Sequence, residues 1–302
     1  MRADPRVTVV VPSYNKPQYL PECLRSIQAQ TLPEWECIVV DDGSPRGEEI
    51  RVAVEAMGDT RFRLVKHEVN RGAAAARNTG FEEASGPYVL IVDEDDRLVP
   101  NALETFMDKA RRTGAEIIAS GIRRFDGWNS VIQPRVSEFP ECMVRPGIYG
   151  SGLLIRKDVW LKVGKYDESP IIRYGFEDYE FTQRLYMQSV RLHIITEPLY
   201  EYRAPREDNS YLFRNWTAQR YSSTIHKYIV NKHADFYDRY PDIKKMVLAK
   251  GYMEETRARL GQGDLVGIVR CVVGELVNTG KLTTAVYLAK RLVTRIRSIL
   301  GR

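Results

Sequence analysis

The chain has 302 residues, 43% hydrophobic and 28% charged, values near the globular average that exclude a disordered or collagen-like chain. That length can bury a substantial core, as one large α/β domain with an appendage or as two modest domains. The formal net charge of +5 is small for this size, and without clustering it marks no nucleic-acid footprint. Cys23, Cys37, Cys142 and Cys271 are too widely spaced for a zinc site and are expected as free thiols. No apolar run approaches the roughly 20 residues that span a bilayer, and Val7–Val11 is too short for a signal-peptide core. The expectation is a cytoplasmic protein, or one peripheral at the inner face of a membrane.

Val7–Val11 is a β-branched run followed by Pro12-Ser13-Tyr14-Asn15, and Leu20, Leu24 and Ile27 then recur at helical spacing. Cys37–Val40 repeats the pattern: a buried run, the polar stop Asp41-Asp42-Gly43-Ser44, then Ile50, Val54 and Met57 on a helical period. Phe62–Val65 reads as a third strand, Ala73–Ala84 as an alanine-rich helix, and Tyr88–Val92 as a fourth strand ending at Asp93-Glu94-Asp95-Asp96. Strands alternating with helices predict a mainly parallel sheet covered on both faces, with ligands at the carboxyl ends of the strands. Ile117–Ser120 and Ile148–Ile155 are further apolar runs, and a helix runs from Glu177 toward Met187. From about Asn215 the pattern is almost wholly helical, which places a boundary near Arg206–Asn215 and divides the chain into 1–210 and 211–302.

Three strand ends carry polar clusters. Four consecutive acids at Asp93–Asp96 concentrate negative charge that calls for a cation, and carboxylate oxygens suit Mg²⁺ or Mn²⁺. A solvated acidic turn with Asp96 as a helix cap accounts for the same residues. A carboxylate in Asp41-Asp42 can accept the imide N–H of a uracil, while Gly43 and Ser44 equally make a turn and a cap. Tyr14 can stack on a base or simply pack. The small residues after Asn70 let a helix start close to the sheet and a ligand, with Arg77 in reach of a phosphate; an exposed arginine on an ordinary helix is the plainer alternative.

Taken in order, V-V-V-P-S-Y-N-K (Val9–Lys16), I-V-V-D-D-G-S (Ile38–Ser44), N-R-G-A-A-A-A-R-N (Asn70–Asn78) and V-D-E-D-D (Val92–Asp96) resemble glycosyltransferase family 2. G-S-G-L-L-I-R (Gly150–Arg156) and F-E-D-Y-E-F (Phe176–Phe181) extend the resemblance over roughly residues 6–205. It implies a GT-A fold, α/β and Rossmann-like with a mainly parallel central sheet, followed here by a helical subdomain. It also implies inverting transfer of a sugar from a nucleotide diphosphate, with uridine the expected base, to a carbohydrate hydroxyl. Pro12 and Tyr14 would line the nucleoside pocket, Asp42 would hold the base with Asp41 beside it, and Asn70 and Arg77 would help to hold the nucleotide. Asp93 and Asp95 would form the D-x-D, Asp93 toward the donor and Asp95 as the direct ligand of Mn²⁺ or Mg²⁺, with Glu94 pointing away. Asp178, next to Glu177, matches the catalytic base, and Arg203 of Tyr202-Arg203 would approach the diphosphate. Many relatives carry a histidine shortly after that arginine; this chain has Ala204-Pro205-Arg206, which leaves the third metal ligand open.

The carboxyl end, from Lys281 to Arg302, carries Lys281, Lys290, Arg291, Arg295, Arg297 and Arg302 without an acidic residue. Its apolar residues, from Leu282 through Val286, Leu292 and Ile296 to Leu300, recur at helical spacing. This basic amphipathic helix can lie on anionic lipid or pack on its neighbours. Membrane contact would suit a lipid-linked sugar or a polysaccharide precursor as acceptor. A sugar nucleotidyltransferase and a catalytically silent nucleotide-sugar-binding protein are the competing readings. The lack of a glycine-rich basic loop after Val11 disfavours the first, and Asp178 the second. Oligomeric state is left open.

Overall fold

The computed structural model describes residues 4–135, 137–145, 147, 148, 150, 152–173, 175–204 and 219–299, with side chains to residue 291. Ser151, Arg206, the boundary segment 206–215, Leu300 and Arg302 lie outside the described residues, as do the side chains of Leu292, Arg295, Ile296 and Arg297.

The chain divides into two compact units. The first comprises Met1–Ser137, Pro146–Arg173 and Glu177–Asp208; the second comprises Glu138–Arg145, Tyr174–Phe176 and Asn209–Arg302.

The first unit begins with strand β1 (Val7–Ser13), helix α1 (Leu20–Gln28), β2 (Trp35–Asp41), α2 (Gly47–Glu55), β3 (Phe62–Lys66), α3 (Ala73–Glu83) and β4 (Tyr88–Ile91). It continues through β5 (Arg97–Leu98), α4 (Ala102–Thr113), β6 (Ile117–Phe125), β7 (Val131–Ile132), β8 (Leu153–Arg156), α5 (Lys157–Val163), α6 (Glu177–Met187) and β9 (Leu192–Arg203). The nine strands form one sheet in the order β3-β2-β1-β4-β8-β6-β9-β5, with β7 on β6. The four strands anticipated first are its parallel half, β1 flanked by β2 and β4, and β3 beyond β2. The other half is mixed, because β8 runs antiparallel to both β4 and β6 whereas β9 runs parallel to β6.

A continuous apolar strand is needed where both faces of a sheet are covered. Val7, Val9 and Val11 face a core shared with α1 and α4, built on Leu24, Ile27, Leu103 and Phe106. Val10 faces the opposite core with Phe81 of α3, Trp160 of α5 and Phe181 of α6. All these side chains are buried, each worth about 1.5–3 kcal/mol relative to exposure. The period of two thus splits β1 between two layers and leaves its polar carboxyl end, like those of β2 and β4, beyond both cores. Cys23, Cys37, Cys142 and Cys271 are free and buried.

The second unit contains α7 (Ser222–Lys232), α8 (Ala234–Arg239), α9 (Pro241–Gly261), α10 (Leu265–Thr279) and α11 (Thr283–Ile299). Ile225, Ile229, Val247, Leu248 and Tyr252 are among its buried residues. Among the described residues no helix is long and apolar enough to cross a membrane. His226 of α7 is fully buried, and its Nδ1 donates to the Ser222 carbonyl at 2.8 Å. Burial, reinforced by the Lys250 ammonium, holds the imidazole down to about 4 against the opposing pull of Glu254 and the Ser222 hydrogen bond. Its ordinary value is 6.5, so between these two limits the unfolded chain binds the proton and the folded chain does not. Stability is therefore full above pH 6.5 and falls as the pH drops toward 4, by roughly 3 kcal/mol for this group. A thermal-melt series across that range should show the loss, and His226→Gln should flatten it.

Candidate active site

The ends of β1, β2 and β4 are tied to one another through side chains. Glu94, buried just after β4, accepts from the Ser13 hydroxyl and, at 3.0 Å, from the Tyr14 amide. It is turned under the β1 loop and braces it, leaving the Tyr14 ring partly exposed at the rim. Asn15, with φ of 61°, donates its amide to the Ser44 hydroxyl at 3.0 Å and joins the β1 loop to the β2 loop. Pro12 is half-buried at the next-to-last pair of the β1–β2 ladder, opposite Val40.

Asp41 is fully buried, and its Oδ1 accepts from the Ser44 amide at 2.9 Å. Burial pushes its carboxyl above the usual range, with the Ser44 hydrogen bond and Lys66 opposing. Asp41 thus lies beneath the loop, next to Asp42, and shapes it through the Ser44 amide. Asp42 Oδ1 meets His67 Nδ1 at 2.7 Å and the Arg71 amide at 2.9 Å, and Oδ2 accepts from the Gly72 amide at 2.7 Å. A carboxylate has about four acceptor directions, so these three partners leave it one, on Oδ2. Gly43, with φ of 67°, is required where the loop passes the Val69–Asn70 backbone, because a Cβ there would sit 2.4 Å from the Val69 carbonyl carbon.

Asn70 is held by Arg173, whose Nη2 lies 2.6 Å from its carbonyl and 2.5 Å from its side-chain oxygen. One turn into α3, Arg77 is nearly buried, with Nη1 2.6 Å from Glu177 and Nη2 3.7 Å from Asp93. The charges of Asp93, Glu177 and Asp178 all act on this guanidinium, which stays protonated well above its ordinary range despite desolvation. Burial pushes the Glu177 carboxyl upward while Arg77 opposes it. Arg77 is thus an internal ion-pair partner rather than an exposed arginine. Its Nε carries no hydrogen bond.

The acidic run after β4 alternates. Glu94 and Asp96 are buried, whereas Asp93 and Asp95 keep about a third and a quarter of their side chains exposed. Asp95 Oδ2 meets the Lys16 ammonium at 2.5 Å. Asp96 accepts from the Tyr200 hydroxyl at 2.7 Å and the Arg203 amide at 2.8 Å. Burial and repulsion from Asp93 and Asp95 drive its carboxyl well up. Asp96 therefore locks β9 to this loop and caps no helix; α4 begins without a side-chain cap.

Arg203 donates from Nε to the Asp95 carbonyl at 2.9 Å, from Nη1 to Asp126 at 2.6 Å and from Nη2 to Glu22. Its plane also faces the rings of Tyr19 and Phe125. With all three nitrogens engaged and little exposure, this guanidinium positions the Asp95 turn. Asp178 is half-buried at the start of α6, with Oδ1 accepting from the Tyr179 amide at 2.7 Å. Its side chain occupies the space that Gly150 leaves without a Cβ.

The spacing of the sequence motifs did not single out His67, Arg173, Glu22 or Tyr200. His67 connects Asp42 to Thr79, with Nε2 2.9 Å from the Thr79 hydroxyl, and follows directly on β3. Its place immediately after a strand, at a carboxyl end of the parallel sheet, was the available signal.

Oxygen donors of Asp93 and Asp95 fit a hard divalent ion, and the Lys16 ammonium on Asp95 shows that this carboxylate takes a cation. Among the described residues no group of three or more His, Cys, Asp or Glu side chains converges as a complete site. A two-carboxylate set of this sort suits an ion that shares its remaining positions with phosphate oxygens and water.

Residues 8–191 match the family model described as Glycosyl transferase family 2. The glycosyltransferase GlyG of Streptococcus pneumoniae is 37% identical over 120 residues, a stretch that is 40% of this chain and 40% of GlyG. The chain thus spans well under two thirds of that relative's length. Among solved structures, S. aureus TarS 1–349 in complex with UDP-GlcNAc superposes with a TM-score of 0.59 at 16% identity, covering 91% of this chain and 92% of that one. The mannosyltransferase PcManGT from Pyrobaculum calidifontis, in complex with GDP-Man and Mn²⁺, gives 0.61 at 19% identity over 97% and 81%. These likenesses establish the GT-A fold, and the family match, which spans more than half the chain, carries the conclusion: this protein belongs to glycosyltransferase family 2.

Proposed function

We propose that the protein is an inverting, divalent-metal-dependent transferase that moves a sugar from a UDP-linked donor to a carbohydrate hydroxyl. The observation that carries this reading is Arg77, which lies 2.6 Å from Glu177 and 3.7 Å from Asp93 and so gathers the D-x-D loop and the start of α6 around one charge. TarS and PcManGT, bound to UDP-GlcNAc and to GDP-Man with Mn²⁺, support a nucleotide-sugar donor and a metal in this fold.

In this reading Tyr14 and Pro12 flank the nucleoside and the remaining acceptor direction of Asp42 Oδ2 takes the base imide. Asn70 supports the nucleotide side of the site through the α3 entry loop. Asp95, with Asp93, would hold Mn²⁺ or Mg²⁺, and the bound ion would supply charge neutralisation to the departing diphosphate. Asp178 is the base. The Tyr179 amide fixes Oδ1, so Oδ2 is the atom that takes the acceptor's proton as its oxygen attacks the anomeric carbon opposite the leaving group, inverting it. Arg77 offsets the mutual repulsion of Asp93, Glu177 and Asp178, which would otherwise oppose their approach. Peripheral membrane contact through residues 281–302, with a lipid-linked or polysaccharide-precursor acceptor, belongs to the same proposal.

Two outcomes test it. In a thermal-shift screen of UDP- and GDP-sugars, a UDP-sugar should stabilise the protein more with Mn²⁺ than without, and Asp95→Asn should remove that difference; no response to any nucleotide sugar would defeat the proposal. With the donor found, Asp178→Asn should keep donor affinity while transfer falls about 10²–10⁴-fold. Separately, Arg77→Ala should cost about 3 kcal/mol in chemical denaturation, because it strands the largely buried Glu177. Arg77→Ala with Glu177→Ala should recover part of that loss.

A further inference from the structure

α10 packs with its faces exchanged. Toward the rest of the helical unit it turns Gly267, Ile268, Cys271, Glu275 and Thr279. Glu275 is fully buried and accepts from the Thr283 and Thr284 amides at the start of α11. Gly274 lies so close to Tyr252 of α9 that a Cβ would sit 2.7 Å from the ring, and Asn278 donates to the Tyr252 hydroxyl at 2.9 Å. The other face presents Leu265, Val266, Val269, Val273, Leu276 and Val277, with exposures from 48% to 77%.

These six recur at intervals of one, three and four residues, which makes a stripe roughly 18 Å long on one side of the helix. Leu282, just before α11, and Val286 of α11 are exposed as well. A helix that spends its polar and small residues on the interior and its branched apolar residues on the outside has an outer face made for a nonaqueous neighbour. The only charged side chain among the exposed residues of α10 is Arg270.

Charge selects the neighbour. From Leu276 to Arg302 the sequence contains six cations, Lys281, Lys290, Arg291, Arg295, Arg297 and Arg302, and no acid. Lys281, Lys290 and Arg291 are exposed. A two-fold pairing of α10 with a second copy would set these cations near their own equivalents without a carboxylate to answer them. A lipid surface with anionic headgroups meets both requirements at once: acyl chains for the stripe and headgroup charge for the lysines and arginines. We propose that the outer face of α10 inserts into the interface of an anionic membrane, with Arg270 and the start of α11 at headgroup level. This deepens the peripheral contact proposed for 281–302 and rests on it only for the sign of the lipid charge; the insertion surface itself is α10.

The test is flotation of the full chain with vesicles of phosphatidylcholine alone and of phosphatidylcholine with one third phosphatidylglycerol. Binding to the anionic vesicles is expected, and Val269→Gln with Val273→Gln should weaken it by about tenfold or more. Circular dichroism and the thermal midpoint should stay unchanged, since both side chains point outward. Lys281→Gln, Lys290→Gln and Arg291→Gln together should instead erase the preference for phosphatidylglycerol. Loss of flotation on changing the three cations but not the two valines would overturn insertion by α10 while keeping the basic contact. Equal binding to neutral vesicles would overturn the anionic requirement. A dimer in solution that the valine changes split into monomers would assign the face to a second copy instead. A polarity-sensitive dye on Val273→Cys that reports a dry setting without vesicles would assign it to another segment of this chain.

Discussion

The guanidinium of Arg77 is the charge about which the candidate site is arranged. It is nearly buried, and a buried cation is tolerated only where carboxylates surround it closely enough to offset its desolvation. Glu177 at 2.6 Å and Asp93 at 3.7 Å do so, and they come from segments that share no local structure, the loop after β4 and the first turn of α6. The reverse dependence is equally strong. Asp93, Glu177 and Asp178 crowd one region, and without a fixed cation their repulsion would raise the free energy of bringing β4 and α6 together. The small residues that open α3 and the polar end of β4 are thereby parts of one electrostatic arrangement.

A second arginine plays the corresponding part on the other side of the acidic loop. Arg203 contacts the Asp95 backbone, Asp126 and Glu22, while Arg97 reaches Glu22 and Glu201. Glu22 is held below the usual carboxylate range, burial working against this and the two guanidiniums prevailing. Arg203 therefore supports the turn carrying Asp95 through its main chain, while the Asp95 carboxylate pairs with the Lys16 ammonium. Glu94 and Asp96 look inward to Ser13, Tyr14, Tyr200 and Arg203, so the run of four acids alternates between two buried members and two partly exposed ones that pair with Arg77 and Lys16.

This alternation explains what the sequence could and could not disclose. The parallel half of the sheet was legible because Val7–Val11, Cys37–Val40, Phe62–Val65 and Tyr88–Val92 are short runs rich in β-branched and apolar residues, interrupted only at Thr8 and Arg63, as expected of strands in a covered sheet. β9 was not, for Glu197 and Pro198 interrupt it and its pairing with β6 shifts register around Gly121. The carboxyl ends of the early strands told where ligands would gather, and the order of motifs told the family. Which charged side chains are buried depended on partners about a hundred residues away, Tyr200 for Asp96 and Glu177 for Arg77, and local patterning carries no record of such pairings. The same holds for Arg203: its position invited a phosphate-binding role, while Glu22 and Asp126 engage its guanidinium.

The helical unit shows the limit of patterning from the other direction. Helical period alone assigns the apolar stripe of α10 to a core, since that is where such stripes usually go. What reverses the assignment is the pair of close approaches at Gly274 and the buried Glu275, which only small residues and a capping carboxylate satisfy. Turning α10 over to bury its valines would expose those cheaply, but it would force branched side chains against Tyr252 and leave the Thr283 and Thr284 amides without their acceptor. The orientation of α10 is thus fixed by its polar and small residues, and the exposed apolar face is the consequence.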